Sequence, residues 1–361
     1  MNGLTRLSVW PPLPPGLYLR RRGKLPFPLQ EPGCRLFALG RHALWQGVRA
    51  LGLGPSDEIL VPAYHHGSEV EALVRAGLAC RFYAGGDQLQ PTEAELEAHV
   101  GPRTRALLLV HYLGFPQESA RWRRWCDERD LLLIEDAAQA WLARDGDGPV
   151  GSLGDLAVFC LYKTFGVPDG AALMSRRPPP GPSEAAGFGL SAAARRHFSW
   201  LRSRAPLGSR DSPRPAESSS LTEFELGEPG ARPSRATTFL LPRAVTVDAA
   251  AARRRNYELL LEHLRGRVMS PFDSVPEGAS PFVFPLDTAH KHALLETLSK
   301  HGIHAFDFWS VGHPSHDADG FPAVRERRRR TIGLPIHQEL RRQDVERIAT
   351  VVAHAVTKER E

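Results

Sequence analysis

Two apolar runs of this chain stop on ionisable side chains. Residues 131–136, Leu-Leu-Leu-Ile-Glu-Asp, end on Asp136. Residues 156–163, Leu-Ala-Val-Phe-Cys-Leu-Tyr-Lys, end on Lys163. Both runs have the length and apolar character of buried strands. Ligands of open α/β sheets sit beyond the carboxyl ends of the strands, so a carboxylate and an amine placed there can face one crevice. Taken singly, each has a plain explanation: an aspartate caps the next helix, and a lysine extends its amine to water.

Taken together, they fit one cofactor chemistry. A partly desolvated strand-end lysine has its amine pKa lowered and can form a Schiff base with an aldehyde. Pyridoxal 5'-phosphate offers that aldehyde. Its ring nitrogen must hold a proton for the ring to accept electrons, and a buried carboxylate favours that charge. Asp136 suits the post, and Gln139, three residues on, can bond the ring's phenolic oxygen. A flat side chain should cover one ring face. Residues 61–69, Val-Pro-Ala-Tyr-His-His-Gly-Ser-Glu, supply His66 first and Tyr64 second. The phosphate belongs at a helix N-terminus, where free N–H groups point outward. Gly40, Arg41 and His42 open such a helix, the glycine letting the backbone come close.

The elements that must position these groups alternate between helix and strand from about residue 40 to 175. Helical spacing marks residues 40–54, 68–78 and 118–130, and Thr92 with Glu95 makes a capping-box start. Residues 57–64, 80–83, 104–114, 131–140, 156–163 and 170–175 read as strands. The continuously apolar strands predict an α/β fold, a mostly parallel central sheet covered by helices on both faces. Residues 176–235 are rich in Pro, Ser, Gly and Arg and read as a mobile insertion, with one amphipathic piece at 192–203. A long helix, two strands and two further helices then predict a smaller α+β domain. The division expected is an N-terminal extension (1–35), a large cofactor-binding domain (36–175), the insertion (176–235), and a long helix with the small domain (236–361).

Bulk properties narrow the classes. The 361 residues exceed what one core usually holds, and 42% hydrophobic with 24% charged content is ordinary for a globular protein. No apolar run approaches a membrane span, and the proline-rich N-terminus lacks the apolar core of a secretory signal. The net charge of +5 comes from arginines mixed with acids. The sharpest basic run, residues 325–330 (Arg-Glu-Arg-Arg-Arg-Arg), has no aromatic interleaving and reads as an exposed helix face rather than a nucleic-acid surface. The four cysteines form no metal-type pair. Cys80 and Cys160 read as small core residues, and reduced thiols and a cytoplasmic location are expected. His313 and His316 have metal-like spacing but no third ligand, so no metal is expected.

The ordered motifs resemble the DegT/DnrJ/EryC1/StrS family of pyridoxal-phosphate aminotransferases. Residues 134–140 (Ile-Glu-Asp-Ala-Ala-Gln-Ala) match its Asp-Ala-Ala-Gln block. Residues 150–175 resemble its Gly-Asp, Phe, Lys and acidic-Gly block, and 333–348 its C-terminal block. The resemblance spans about residues 36–355. It implies a fold-type-I transferase that works as a homodimer on a small-molecule amino donor, glutamate or glutamine, and a keto-sugar or other small keto acceptor. It makes Lys163 the catalytic lysine and Asp136, Gln139, His66, Gly40, Arg41, His42 and Cys160 cofactor contacts. Three departures stand out. The family's serine before the lysine is absent, the segment 159–163 being about two residues shorter, with Cys160 there instead. Its cross-subunit Asn-x-Arg segment is not recognisable, and residues 233–243, with Ser234, Arg235 and Thr237, stand in its place. Ala171 replaces a glycine. A non-catalytic binding or sensor protein on the same fold is the alternative.

Overall fold

The computed structural model of the chain describes residues 5–146, 148–205, 224–316 and 320–357. The Ser/Pro-rich stretch 209–220 lies outside them. The core is a seven-stranded sheet ordered β2-β10-β9-β6-β5-β3-β4. Its strands are β2 (Cys34–Phe37), β3 (Glu58–Pro62), β4 (Ala79–Tyr83), β5 (Thr104–Val110), β6 (Leu132–Asp136), β9 (Leu156–Cys160) and β10 (Ala171–Ser175). β4, β3, β5, β6 and β9 run parallel, and only β10 pairs antiparallel, with β9 and β2. The expected mostly parallel sheet is therefore present. Its central strands are buried on both faces, which is why they read as unbroken apolar runs.

Helices α1 (Gly40–Ala50), α2 (Ser68–Arg75), α3 (Glu93–Glu97) and α4 (Ser119–Asp127) fill the connections. On α4, Trp122 and Trp125 pack with Leu107, Leu109 and Leu133 on one face of the sheet. α1 and α2 cover the other. Thr92 caps α3 by accepting from Glu95 N–H, but Glu95 turns its carboxylate to Ala84 and Gly85 instead of closing the reciprocal bond. A small hairpin, β7 (Arg144–Asp145) with β8 (Gly148–Pro149), leads into β9. The one-turn α5 (Leu161–Thr164) follows β9 directly.

α6 (Leu190–Arg204) realises the amphipathic piece of the insertion, and α7 (Arg235–Ala244) follows. α8 (Ala249–Leu264) then leads to a three-stranded antiparallel sheet of β11 (Phe284–Asp287), β14 (Thr331–Leu334) and β13 (Phe306–Asp307). α9 (Lys291–Lys300), α10 (Pro322–Arg330) and α11 (Arg342–Thr357) surround it. The N-terminal segment is no loose extension. β1 (Leu7–Ser8) pairs in parallel with β12 (Ile303–His304), and Leu7, Val9, Leu13 and Leu17 are buried. Burying four apolar side chains offsets the entropy of ordering a proline-rich stretch, whose proline torsions are already restricted.

Candidate active site

Register brings the chemistry together. Asp136 ends β6 opposite Val158 of β9 and Val110 of β5, so three strands finish along one rim. Beyond that rim lies a cavity of about 370 Å³, lined by Asp136, Gln139, His66, Gly40, Arg41, Cys160 and Lys163, among others. That volume falls within the range of small-molecule sites.

Lys163 is not at a strand end, as the apolar run suggested. β9 stops at Cys160, its last pair with β10, and the chain winds into α5, where Leu161 N–H donates to Gly170 O. The helical turn sets Lys163 past the rim. Its Nζ lies 5.9 Å from the centre of the Phe282 ring, and among the described residues nothing accepts a hydrogen bond from it. The turn itself is held from below. Arg253 of α8 is 1% exposed, and its guanidinium donates to Lys163 O (3.2 Å), Thr164 O (2.8 Å) and Pro281 O (3.0 Å). Gln338 accepts from Arg253 at 2.9 Å and donates to Thr164 O at 3.0 Å. Burial lowers the Arg253 pKa to about 9, so the group stays charged at neutral pH. We expect Arg253→Met, which orphans several buried carbonyls, to destabilise the protein by about 3 kcal/mol or more, read as a lower urea midpoint.

Asp136 accepts one hydrogen bond, from Ala138 N–H to Oδ1 at 2.9 Å, which leaves Oδ2 without a donor among the described residues. Burial pushes its pKa up to about 6, the neighbouring charge of Glu69 pushes the same way, and Ala138 N–H and Lys163 oppose them. Below about pH 6 this carboxyl therefore holds a proton that an ordinary aspartate would have released. Gln139 accepts from Leu113 N–H at 2.9 Å through Oε1. A backbone donor there fixes the amide's orientation and leaves Nε2 to donate. The Glu135 carboxylate is different. Burial works to raise its pKa, but bonds from His111 Nε2, Ser119 Oγ and Gly154 N–H outweigh that and hold it low. Gln117 N–H donates to His111 Nδ1, so the imidazole bonds at both nitrogens and serves as a strut.

His66 lines the cavity with its ring 6.2 Å from Trp309 and 5.6 Å from Phe224. Burial lowers its pKa to about 4, Glu69 opposes this, and Lys163 adds to it. It is therefore a neutral plane at pH 7. Glu69 fixes the loop by accepting from His66 N–H (2.9 Å) and Gly67 N–H (3.0 Å). Gly67, at φ +123°, adopts a backbone conformation that favours glycine. Across the cavity, Leu39 puts no side-chain cap on α1, so the first N–H groups of that helix face outward. A Cβ on Gly40 would sit 2.8 Å from Cys160 Sγ. We expect Gly40→Ala to cost about 1–3 kcal/mol of stability and to weaken cofactor binding, measured by fluorescence titration of the apoprotein, and Gly40→Ala with Cys160→Ala to recover both.

Other expected groups fall elsewhere. His42 turns its side chain away and does not line the cavity: it is buried, with Nε2 2.8 Å from Leu226 O. Tyr64 packs against Tyr112 and Trp309 and does not line the cavity. Ser234 and Thr237 are taken up by Asp169, whose carboxylate accepts from Ser234 N–H and Thr237 Oγ1, and Arg235 lies over Phe188. His313 bonds Glu71 and Ser315, and His316 stacks on Phe321. Among the described residues, no three His, Cys, Asp or Glu side chains gather as a metal site. The basic run is not simply a solvated face. Arg328 is buried, donating to the carbonyls of Trp309 and His65, while Arg330 pairs with Asp287. All four cysteines are free, Cys80 only half-buried. Sequence reasoning missed Trp10, Phe282, Phe306 and Glu69 in the lining. Trp10, Phe282 and Phe306 are far in sequence from the motifs, and Glu69, three residues after His66, reads as an ordinary acid in the first turn of α2.

The residues fit pyridoxal phosphate. An amine, a carboxylate oxygen and an amide N–H, none with a protein partner among the described residues, line one cavity beside an uncapped helix N-terminus. Comparison with known proteins agrees. Residues 36–178 match the DegT/DnrJ/EryC1/StrS aminotransferase family. The chain is 27% identical over 338 residues to a UDP-N-acetyl-3-dehydro-alpha-D-glucosamine 3-aminotransferase of Acidithiobacillus ferrooxidans, covering 89% of this chain and 82% of that protein. It is 35% identical over 144 residues to a dTDP-3-amino-3,4,6-trideoxy-alpha-D-glucose transaminase of Streptomyces venezuelae, covering 38% of each. The fold is that of the aminotransferase TlmJ of Streptoalloteichus hindustanus (TM-score 0.66, 21% identity, 91% of this chain and 87% of that one). It is also that of the PLP form of Spr1654 from Streptococcus pneumoniae (TM-score 0.67, 16% identity, 99% and 98%). Residues 36–178 of this chain thus match the DegT/DnrJ/EryC1/StrS aminotransferase family, and the cavity those residues line fits the pyridoxal phosphate of its aminotransferases.

Proposed function

We propose that the protein moves an amino group from glutamate or glutamine to a keto sugar or another small keto compound, working as a homodimer. The observation that carries this reading is the shared cavity of Lys163, Asp136 and Gln139. The relatives named for nucleotide-linked sugars support a sugar acceptor.

When bound, pyridoxal phosphate supplies an aldehyde carbon for an amine and a protonated ring that takes up electrons. Lys163 Nζ would hold that carbon and, as the cavity's free amine, would serve as the base that moves a proton from the donor's α-carbon. Asp136 Oδ2 holds the proton on the ring nitrogen. Gln139 Nε2 donates to the phenolic oxygen. His66, neutral, covers one ring face without adding charge. The start of α1 at Gly40 and Arg41 would hold the phosphate, with Cys160 in the place of the family's serine beside it.

The test is a two-stage assay on purified holoenzyme. Glutamate or glutamine alone should convert the cofactor's visible absorbance to that of the amine form. A panel of keto compounds, nucleotide-linked and free, should then restore it. A cofactor band inert to every amino donor contradicts the reading. Light scattering at micromolar protein checks the dimer, with a monomer mass as the contrary result.

A further inference from the structure

Trp309 and His66 line the cofactor cavity with their rings 6.2 Å apart and inclined at 68°. They follow strands of different sheets: His66 comes after β3 of the seven-stranded sheet, and Trp309 after β13 of the three-stranded one. One buried side chain of α10 joins the two segments. Arg328 Nη1 donates to Trp309 O (2.8 Å) and Val311 O (3.3 Å), while its Nη2 donates to His65 O (2.8 Å) and Ala63 O (3.4 Å). All four acceptors are backbone carbonyls. Burying a cation against carbonyls costs more than filling the space with an apolar residue. What the guanidinium adds is a rigid planar fork, one nitrogen for each segment. Lys291 of α9 fixes the same place from behind, its Nζ donating to Arg328 O (2.7 Å) and Ser310 Oγ (2.6 Å). Trp309 itself sits at φ +52°, a left-handed conformation that a bulky residue keeps only where its surroundings impose it. The carbonyl of that residue is the one Arg328 holds at 2.8 Å.

We infer that Arg328 is a positioning residue of the site: it locks the Trp309 and His66 segments into one aromatic corner, and that corner sets the tilt of the cofactor ring. The inference rests on the function proposed above in one respect, that His66 covers a ring face. Arg328 does not line the cavity and acts through the two rings it fixes. A small misplacement of such a cover is enough to slow chemistry at the ring, because reactivity depends on how the reacting groups are aligned. A lysine at 328 keeps the charge but offers a single nitrogen, which cannot serve both segments as the fork does.

The experiment begins with wild-type holoenzyme and amide hydrogen exchange read by mass spectrometry. Peptides covering 61–67 and 308–312 should open together, with the same dependence on urea, because one side chain holds both. Separate openings overturn the clamp. Arg328→Lys holoenzyme is then compared with Arg329→Met, an exposed control whose bonds go to Glu326. Arg328→Lys should keep the cofactor bound but change the visible circular dichroism of the bound cofactor at least twofold. Its maximal rate with the amino donor should fall at least tenfold, while the half-saturating donor concentration moves less than threefold. Arg329→Met should change none of these. In a His66→Ala background the same Arg328→Lys change should cost less than threefold in rate, since the ring it positions is gone. Wild-type dichroism in Arg328→Lys, or a full tenfold loss that persists in the His66→Ala background, overturns the positioning role. Trp309→Ala removes the ring and leaves the buried cation and its carbonyl in place, so it reads the corner even if Arg328→Lys does not fold. It should alter the dichroism as Arg328→Lys does, and an unchanged spectrum overturns the proposal. Exchange and dichroism need no amino donor. A wild type inert to every donor therefore strikes at the aminotransferase reading alone.

Discussion

Lys163→Ala loses the cofactor's visible absorbance and lowers turnover by at least about 10⁴-fold. Two roles fall together in this variant, the anchor and the proton carrier, so the effect exceeds that of any single hydrogen bond. The structure gives the amine room for both: Nζ faces the Phe282 ring and meets no acceptor among the described residues. Lys163→Arg separates charge from chemistry. Its guanidinium keeps the cation in the cavity but is not the lysine amine, so the same losses are expected. An arginine variant with near-normal turnover would mean that the site needs only a positive charge. Because Arg253 holds Lys163 through its backbone carbonyl, the α5 turn should survive both changes. Far-ultraviolet dichroism and urea midpoints within experimental error of wild type check that.

Asp136→Asn is expected to lower kcat about 10³-fold while making the apoprotein more stable at neutral pH. The two effects share one cause. In the apoprotein, burial and Glu69 raise the Asp136 pKa from its usual 3.8 to about 6. Between those values the folded state holds a proton that the unfolded state has released. Stability therefore falls as pH rises through this window, and the loss is complete above about pH 6. At pH 7 the cost is about 2–3 kcal/mol, which a neutral amide removes. A cationic ring nitrogen reverses the balance by favouring the carboxylate. Cofactor affinity of the wild-type apoprotein should then rise by up to about tenfold per pH unit below pH 6 and level off above it. Asp136→Asn should show no such step. A variant apoprotein that melts below wild type at pH 7, or binds cofactor with the same pH step, contradicts the assignment.

The parts legible in the sequence were those whose signal is local. Asp136 and Gln139 sit in a short motif at the end of an unbroken apolar strand, and their side chains reach the same cavity. Lys163 was legible as a residue but not in its setting. Leu161 and Tyr162 continue the apolar pattern of β9 while the backbone leaves the sheet, since strand pairing and not hydropathy decides where a strand ends. His42 shares the helix start with Gly40, yet a rotation of about 100° per residue turns its ring toward Leu226. Arg253 lies in a run of three arginines on α8, and only the packed structure tells which one is buried. Trp10 was least visible: a tryptophan among prolines reads as loop, and its place over the site depends on β1 pairing with a strand nearly 300 residues away.

The central claim is that one lysine holds the cofactor covalently. Borohydride reduction of the holoenzyme, followed by proteolysis and mass spectrometry, locates the pyridoxyl label directly. The account predicts stoichiometric label on Lys163 and none on Lys24, Lys291, Lys300 or Lys358, the other lysines of the chain. Label on one of those four, or a reduced protein that releases all its cofactor on denaturation, would contradict it.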